Sequence, residues 1–305
     1  MPAFGTILLT GIHGQVGSVL QTDLGALGDV VGVSRAQLDL ADADAIRRTV
    51  RELRPGLIVN PAAYTAVDKA EAEPELAFVI NAEAPRILAE EAARLAIPLV
   101  HFSTDYVFDG RKTEAYLETD NPNPLGVYGK SKLAGEEAIR ASGAQHLILR
   151  TSWVYGAYGN NFMKTMIRLA TQRDSLRVVA DQFGAPTSSH TIAAATCRAL
   201  TDWRATASGT YHLTNRGRTS WHGFAQAILD HYQRLQASRG WPPLQVAPEA
   251  VVAIGTADYP TAATRPANSC LDCSKFVAAF GNGLPEWREA LEEEMQALQM
   301  ELPRA

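Results

Sequence analysis

The stretch ILLTGIHGQVG (Ile7–Gly17) decides how the chain is read. Three apolar residues, Ile7-Leu8-Leu9, run into a glycine turn. Val16, Leu20 and Leu24 then recur at helical spacing, so the order is strand, turn, helix. In Gly11-x-x-Gly14-x-x-Gly17 the missing side chains let backbone N–H groups and a helix N-terminus approach a pyrophosphate. The spacing is one residue wider than the usual G-x-G-x-x-G, and a plain structural turn uses the same glycines.

Outward from this unit the alternation continues. Strands are expected at Val30–Val33, Leu57–Asn60, Leu99–Thr104 and His146–Thr151, with helices at about Asp42–Arg54, over Pro74–Leu95 and around Ser131–Ala141. Strands alternating with helices imply parallel pairing and right-handed crossovers. The fold class expected is α/β, a doubly wound parallel sheet of Rossmann type with a smaller, interleaved C-terminal substrate domain. Beyond Thr151 the rhythm loosens into loops (Gly156–Asn161, Gly184–Ser188, Pro260–Ser269) between helices near Asn161–Gln172 and His190–Trp203. Gly209–Thr214 reads as a strand returning to the main sheet. The expected division is therefore residues 1–156 plus about 188–217 for the dinucleotide-binding part, and about 157–187 plus 218–305 for the substrate part. A last helix near Glu286–Leu302 places Trp287, Leu291, Met295 and Leu298 on one stripe, with Glu292, Glu293 and Glu294 largely on the other side.

The 305 residues suit about two domains or one large α/β unit. With 46% hydrophobic and 20% charged residues the chain is an ordinary globular one, not a disordered one. A net charge of −5 without a basic run argues against nucleic-acid binding. The N-terminal residues lack a basic n-region, and no run of about 18 apolar residues occurs, so no signal peptide or membrane span is expected and the cytoplasm is the expected location. Three cysteines are too few for a disulfide framework, and Cys270-x-x-Cys273 has no second pair to complete a metal site.

Two local patterns carry chemistry. No acidic residue closes the second strand; Ser34-Arg35 stands there, a hydroxyl and a guanidinium suited to a ribose 2′-phosphate, although Arg35 also reads as a solvated charge. NADPH is the cofactor expected, with NADH usable. Tyr128 and Lys132 lie four residues apart, on one helix face. A phenol titrating near 10 needs about 4 kcal/mol to act near neutrality, and a unit charge at about 4 Å in a dielectric near 20 supplies roughly that. Ser103-Thr104-Asp105 leaves the fourth strand at its carboxyl end, where such folds keep their ligands.

These elements resemble the extended nucleotide-sugar branch of the short-chain dehydrogenase/reductases. The blocks NPAAYTAVDKAEAEPELAFVIN (Asn60–Asn81), HFSTDYVFDG (His101–Gly110), YGKSKLAGE (Tyr128–Glu136), ILRTSWVYG (Ile148–Gly156), GNNFMKTMIRLA (Gly159–Ala170), DQFGAPTS (Asp181–Ser188) and YPTAATRPANS (Tyr259–Ser269) are similar to the dTDP-4-dehydrorhamnose reductase family along nearly the whole chain. The resemblance implies hydride transfer to C4 of dTDP-4-dehydro-L-rhamnose, with Tyr128 donating the proton, Lys132 lowering its pKa and holding the nicotinamide ribose, and Thr104 bonding the C4 oxygen. It implies that Gly11, Gly14, Gln15, Val16, Gly17, Ser34, Arg35, Asp39, Leu40, Ala62, Ala63, Tyr64 and Thr65 lie along the cofactor. Asp105, Trp153 and Asn161 would contact the sugar, and Arg265 is the candidate for the nucleotide diphosphate.

Some members of the family hold Mg²⁺ at a dimer contact through acidic side chains, where this chain carries Gln15 and His190. The metal, and a homodimer built that way, are therefore open; His190 reads rather as the cap of the helix it begins. Related 4,6-dehydratases place Thr-Asp-Glu where this chain has Thr104-Asp105-Tyr106, which disfavours loss of water. A non-catalytic cofactor-binding subunit is the rival from another class, and retention of Thr104, Tyr128 and Lys132 argues against it.

Overall fold

The computed structural model describes residues 3–281 and 283–298. Six parallel strands make the central sheet: β1 (Thr6–Thr10), β2 (Asp29–Val33), β3 (Leu57–Asn60), β4 (Leu99–Thr104), β5 (His146–Thr151) and β6 (Gly209–His212), in the spatial order β6-β5-β4-β3-β1-β2. The chain reverses direction across the sheet at β1, which pairs with β2 on one side and β3 on the other. Such a reversal opens a crevice at the carboxyl ends of the strands.

Apolar side chains on both faces of these strands form two of the cores. On one face Ile7, Leu9, Val59 and Leu149 meet Val19 and Leu20 of α1 (Gln15–Asp23). On the other, Leu8, Ile58 and Ile148 meet Ile46 and Val50 of α2 (Ala43–Leu53) and Ile87 and Leu88 of α3 (Ala84–Leu95). Helix α4 (Val127–Ala141) packs against α3 and carries Tyr128 in its first turn. A third core, around Tyr155, Met163, Phe224, Ile228, Trp287 and Leu291, joins α5 (Phe162–Ala170), α7 (Trp221–Arg239) and α8 (Trp287–Ala297). Between them, α6 (Ser189–Thr201) lies against α1 on the sheet.

The structure departs from the sequence reading in four places. The single helix expected over Pro74–Leu95 is broken by a π-helical turn at Val79–Glu83. Pro85 has no N–H to give the carbonyl of Asn81, and that carbonyl instead sits where a Cβ on Gly135 of α4 would come within 2.1 Å. Second, α7 was not expected at all. Third, Ser188, not His190, caps α6, its hydroxyl accepting from the Thr191 N–H. Fourth, Glu294 is fully buried, being three residues from Leu291 and seven from Trp287 on the same face. The expected end of the last helix after Leu298 lies outside the described residues.

Glu294 holds α8 to the start of α6. Its carboxylate accepts from the Ala157 N–H at 3.0 Å, the Ser189 hydroxyl at 3.2 Å and Nδ1 of His190 at 2.9 Å. The bond to Glu294 raises the His190 pKa, against the opposing effect of burial. A raised imidazole stabilises the folded chain fully below the unfolded value near 6.5 and loses that contribution as pH rises through the folded value. Glu294→Ala leaves several buried donors unmet and is expected to cost about 2–4 kcal/mol in denaturant unfolding. The loss should be larger at pH 6 than at pH 8.5, and a pH-independent difference would mean that His190 does not titrate against Glu294.

Candidate active site

A cavity of about 490 Å³ lies along the carboxyl ends of β1, β3 and β4. Its first wall is the glycine turn. Gly11 has φ of +62°, and a side chain on Gly17 would fall 2.2 Å from the Gly11 carbonyl oxygen, so neither position admits a Cβ. Gly14 caps α1 with no side-chain hydrogen bond, which leaves the helix's first N–H groups facing the cavity.

All the residues expected along a cofactor line this one cavity: Gly11, Gly14, Gln15, Val16, Gly17, Ser34, Arg35, Asp39, Leu40, Ala62, Ala63, Tyr64 and Thr65, together with Tyr128 and Lys132. Arg35 follows β2, is three-quarters exposed and lies 3.9 Å from Asp39. The Ala62–Thr65 segment is held from behind by Asn81, whose amide accepts from the Tyr64 N–H at 2.8 Å and donates to the Tyr64 carbonyl and to Ser131.

At the inner end Tyr128, half-buried, meets the Tyr106 ring edge to face at 5.4 Å. Thr104 and Asp105 lie next to it. The Thr104 hydroxyl donates to Asp105 at 3.0 Å and accepts from the Tyr106 N–H. Burial pushes the Asp105 carboxyl up to about 6, opposed by hydrogen bonds with Ser269 and Thr104; its Oδ2 has no hydrogen-bond partner. Burial also lifts the Tyr128 phenol to about 12, opposed by a hydrogen bond with Thr104 and reinforced by the Asp105 charge.

Lys132 makes its hydrogen bonds to groups other than that phenol. Its Nζ donates to the Phe102 carbonyl at 2.6 Å and lies 3.2 Å from Nε2 of His101. Burial lowers it to about 8, with Glu136 opposing. In this arrangement Lys132 therefore does not depress Tyr128, contrary to the electrostatic account drawn from their spacing. Glu136 is itself buried against Ser103 and a two-pronged contact from Arg150 at 2.8 and 2.6 Å.

The residues expected to hold a substrate divide. Thr104 and Asp105 are with Tyr128. Trp153, at φ +49°, stacks on Trp221 of α7 at 3.6 Å, and a side chain on Gly184 would strike its ring. Asn161 caps α5: its Oδ1 accepts from the Lys164 N–H and its Nδ2 donates to the Gly156 carbonyl, so its neighbour Asn160 lines the cavity instead. Both Arg265 terminal nitrogens close on Asp68, at 2.8 and 2.6 Å, tying the loop around Ala263 to the segment after β3. Its charge is thus already neutralised. Asn60, Asn81 and His101 were not singled out beforehand; a polar side chain interrupting an otherwise apolar strand is the signal that marks Asn60 and His101.

Gln15 and His190 offer an amide and an imidazole where a cation would call for carboxylates. Hard cations take shells of oxygen ligands, and here one group is an amide while the other is an imidazole engaged by Glu294. Among the described residues no cluster of three or more His, Cys, Asp or Glu side chains is placed to hold a metal.

A family model described as the RmlD substrate binding domain matches residues 5–300. A dTDP-4-dehydrorhamnose reductase of Burkholderia thailandensis is 46% identical over 291 residues, 93% of this chain and 96% of that protein. Crystal structures of dTDP-4-dehydrorhamnose reductases from Clostridium acetobutylicum and Bacillus anthracis, the latter in complex with NADP, superimpose with TM-scores of 0.88 at 37% and 36% identity. They cover 97% and 96% of this chain and 100% and 99% of their own lengths.

The buried carboxyl of Asp105 yields a test. A folded value near 6 against about 3.9 unfolded means that stability falls as pH rises from about 4 to beyond 6, by on the order of 2–3 kcal/mol. Asp105→Asn should therefore raise the melting temperature above pH 7, with the gain vanishing near pH 4. Equal melting temperatures at pH 7 would show that the carboxylate is not buried at a cost.

Proposed function

This chain belongs to the RmlD family, the dTDP-4-dehydrorhamnose reductases, and from that membership we propose that it reduces the C4 ketone of dTDP-4-dehydro-L-rhamnose to give dTDP-L-rhamnose. What supports the reading most is that Tyr128, hydrogen-bonded to the buried Thr104 behind it, lines the same cavity as a side-chain-free turn at a helix N-terminus. Bound NADPH would supply the hydride.

The N-terminus of α1 would take the pyrophosphate, with Gly11 and Gly17 allowing its approach. Ser34 and Arg35 would meet the 2′-phosphate, the Ser34 hydroxyl being oriented by Gln37 at 2.9 Å. Leu40 and Asp39 would flank the adenine, and Ala62–Thr65 would run beside the cofactor's length.

Tyr128 is the proton donor. With its pKa lifted to about 12 it is protonated at neutral pH, as an acid that delivers a proton to a developing C4 alkoxide must be. Thr104 would bond the same oxygen by turning its one hydroxyl hydrogen from Asp105. Swinging Lys132 toward Tyr128 would add the attraction of a unit charge, roughly 4 kcal/mol at about 4 Å, and lower the cost of the phenolate left behind. Asp105, with one oxygen lacking a partner, is oriented to receive a sugar hydroxyl. Arg265 would bind the diphosphate only by opening its pair with Asp68. Turnover of purified protein is followed as loss of reduced-nicotinamide absorbance with dTDP-4-dehydro-L-rhamnose, and absence of dTDP-L-rhamnose among the products would refute the proposal.

Tyr128→Phe keeps the ring and removes the acid. A fall in kcat of about 10²–10⁴-fold with NADPH binding nearly unchanged is expected. Retention of more than about half the rate would remove Tyr128 from the chemistry.

Arg35 should read the 2′-phosphate, giving about a 10- to 100-fold preference for NADPH over NADH in kcat/KM. NADH should still serve, since no acidic side chain directly ends β2 to favour either cofactor by repulsion. Arg35→Ala should erase most of the preference by weakening NADPH alone; an equal loss with both cofactors would show that Arg35 does not touch the phosphate.

A further inference from the structure

Thr10 and Asn60 end β1 and β3, and His101 lies beside them in the middle of β4. Asn60 and His101 are register partners, and Thr10 stands one step beyond the Leu9–Val59 pair. All three are buried. The Thr10 hydroxyl is 2.6 Å from Asn60 Oδ1, Asn60 Nδ2 is 3.2 Å from His101 Nδ1, and His101 Nε2 is 3.2 Å from Lys132 Nζ. A polar row of this kind has no packing advantage over apolar residues of the same size, so its use lies in what it does to Lys132.

The hydrogens of the row can run in only two ways. In one, Thr10 donates to Asn60, Asn60 donates to Nδ1 of His101, and the ring must carry its hydrogen on Nε2. That hydrogen faces Lys132, which accepts it only as a neutral amine. In the other, Lys132 donates as an ammonium to Nε2, the ring donates from Nδ1 to the carbonyl of a reversed Asn60 amide, and the amide donates to Thr10. The first direction is closed to an ammonium, which has no lone pair, so a proton taken up at Lys132 requires the second; the ring changes tautomer and gains none. In the second the Thr10 hydroxyl no longer gives its hydrogen to Asn60 and can donate into the cavity beside Gly11, which it lines.

We propose that His101 is a positioning residue that holds Lys132 and sets the balance between its amine and ammonium forms, with Asn60 and Thr10 deciding which direction the row prefers. The proposal rests on the reading of Lys132 as the cation serving Tyr128. The other ionisable groups around Lys132 are Tyr128 and Glu136, one turn to either side on α4, and, behind Glu136, Arg150 of β5. None of these bonds Nζ, whereas His101 and the Phe102 carbonyl do. Burial and the neighbouring Lys132 keep the His101 ring neutral, which suits it to accept from an ammonium.

Two substitutions move the balance in opposite directions. Asn60→Asp places a carboxylate that can only accept at Nδ1, which locks the ring to present an acceptor to Lys132 and favours the ammonium. His101→Phe keeps a ring and removes the acceptor, which favours the amine. The basic limb of the kcat/KM profile should rise by about one pH unit in Asn60→Asp and fall by about one in His101→Phe, the scale expected for one hydrogen bond to a charged group. A purely structural role would lower the melting temperature and leave both limbs in place, and that result overturns the proposal. Should His101→Phe fail to fold, the direction of the Asn60→Asp shift decides. Lys132→Met, measured alongside, separates the two readings: near wild-type activity removes Lys132 from the chemistry, whereas strong loss together with unmoved limbs in the other two variants refutes only the role of His101.

Discussion

Parallel pairing is the constraint on which the molecule depends. Six strands running the same way put every carboxyl end on one edge, so a short polar tail on each apolar strand is enough to assemble a site. Thr10, Asn60, Thr104 and Thr151 each end a strand, β1 and β3 being otherwise largely apolar and β4 and β5 carrying His101, Ser103 and Arg150 among their apolar residues. The reversal of strand order between β1 and β3 then opens the edge at one place, and the glycine turn after β1 brings a helix N-terminus to it.

Much of this was legible because it depends on local rules. Alternation of apolar runs with helical periods located five of the six central strands, and the glycine spacing located the turn. The sixth strand was recognised as returning to the sheet, although nothing local names its partner. The misreadings are long-range or subtractive. Pro85 lies inside the single helix expected over Pro74–Leu95, and the π turn before it appears only in three dimensions. Helix α7 shows its signals only when taken together: Ser220 caps it, Gly240 ends it in the left-handed region, and Phe224, Ile228 and Tyr232 recur every four residues between. Its many polar residues hid that stripe.

The site residues divide along the same line. Those reached by backbone, such as Gly11, Gly17 and Ala62, were readable because the absence or smallness of a side chain is itself the signal. Those whose meaning depends on a partner were not. Arg265 reads as an open cation until Asp68, 197 positions earlier in the chain, is found against it. Lys132 reads as the companion of Tyr128 by spacing, yet bonds a strand carbonyl and an imidazole. Glu294 reads as one of three surface carboxylates and is the one turned inward.

The stacked pair Trp153 and Trp221 joins the segment leaving β5 to the first turn of α7, that is, the sheet to the third core. Two indoles with centroids 3.6 Å apart and planes 10° from parallel share their electronic excitation. The protein therefore carries an internal optical ruler: the circular dichroism of the two coupled indoles depends on the two parts being seated on each other, and a hinge between them would register as a change in that signal without a label being added.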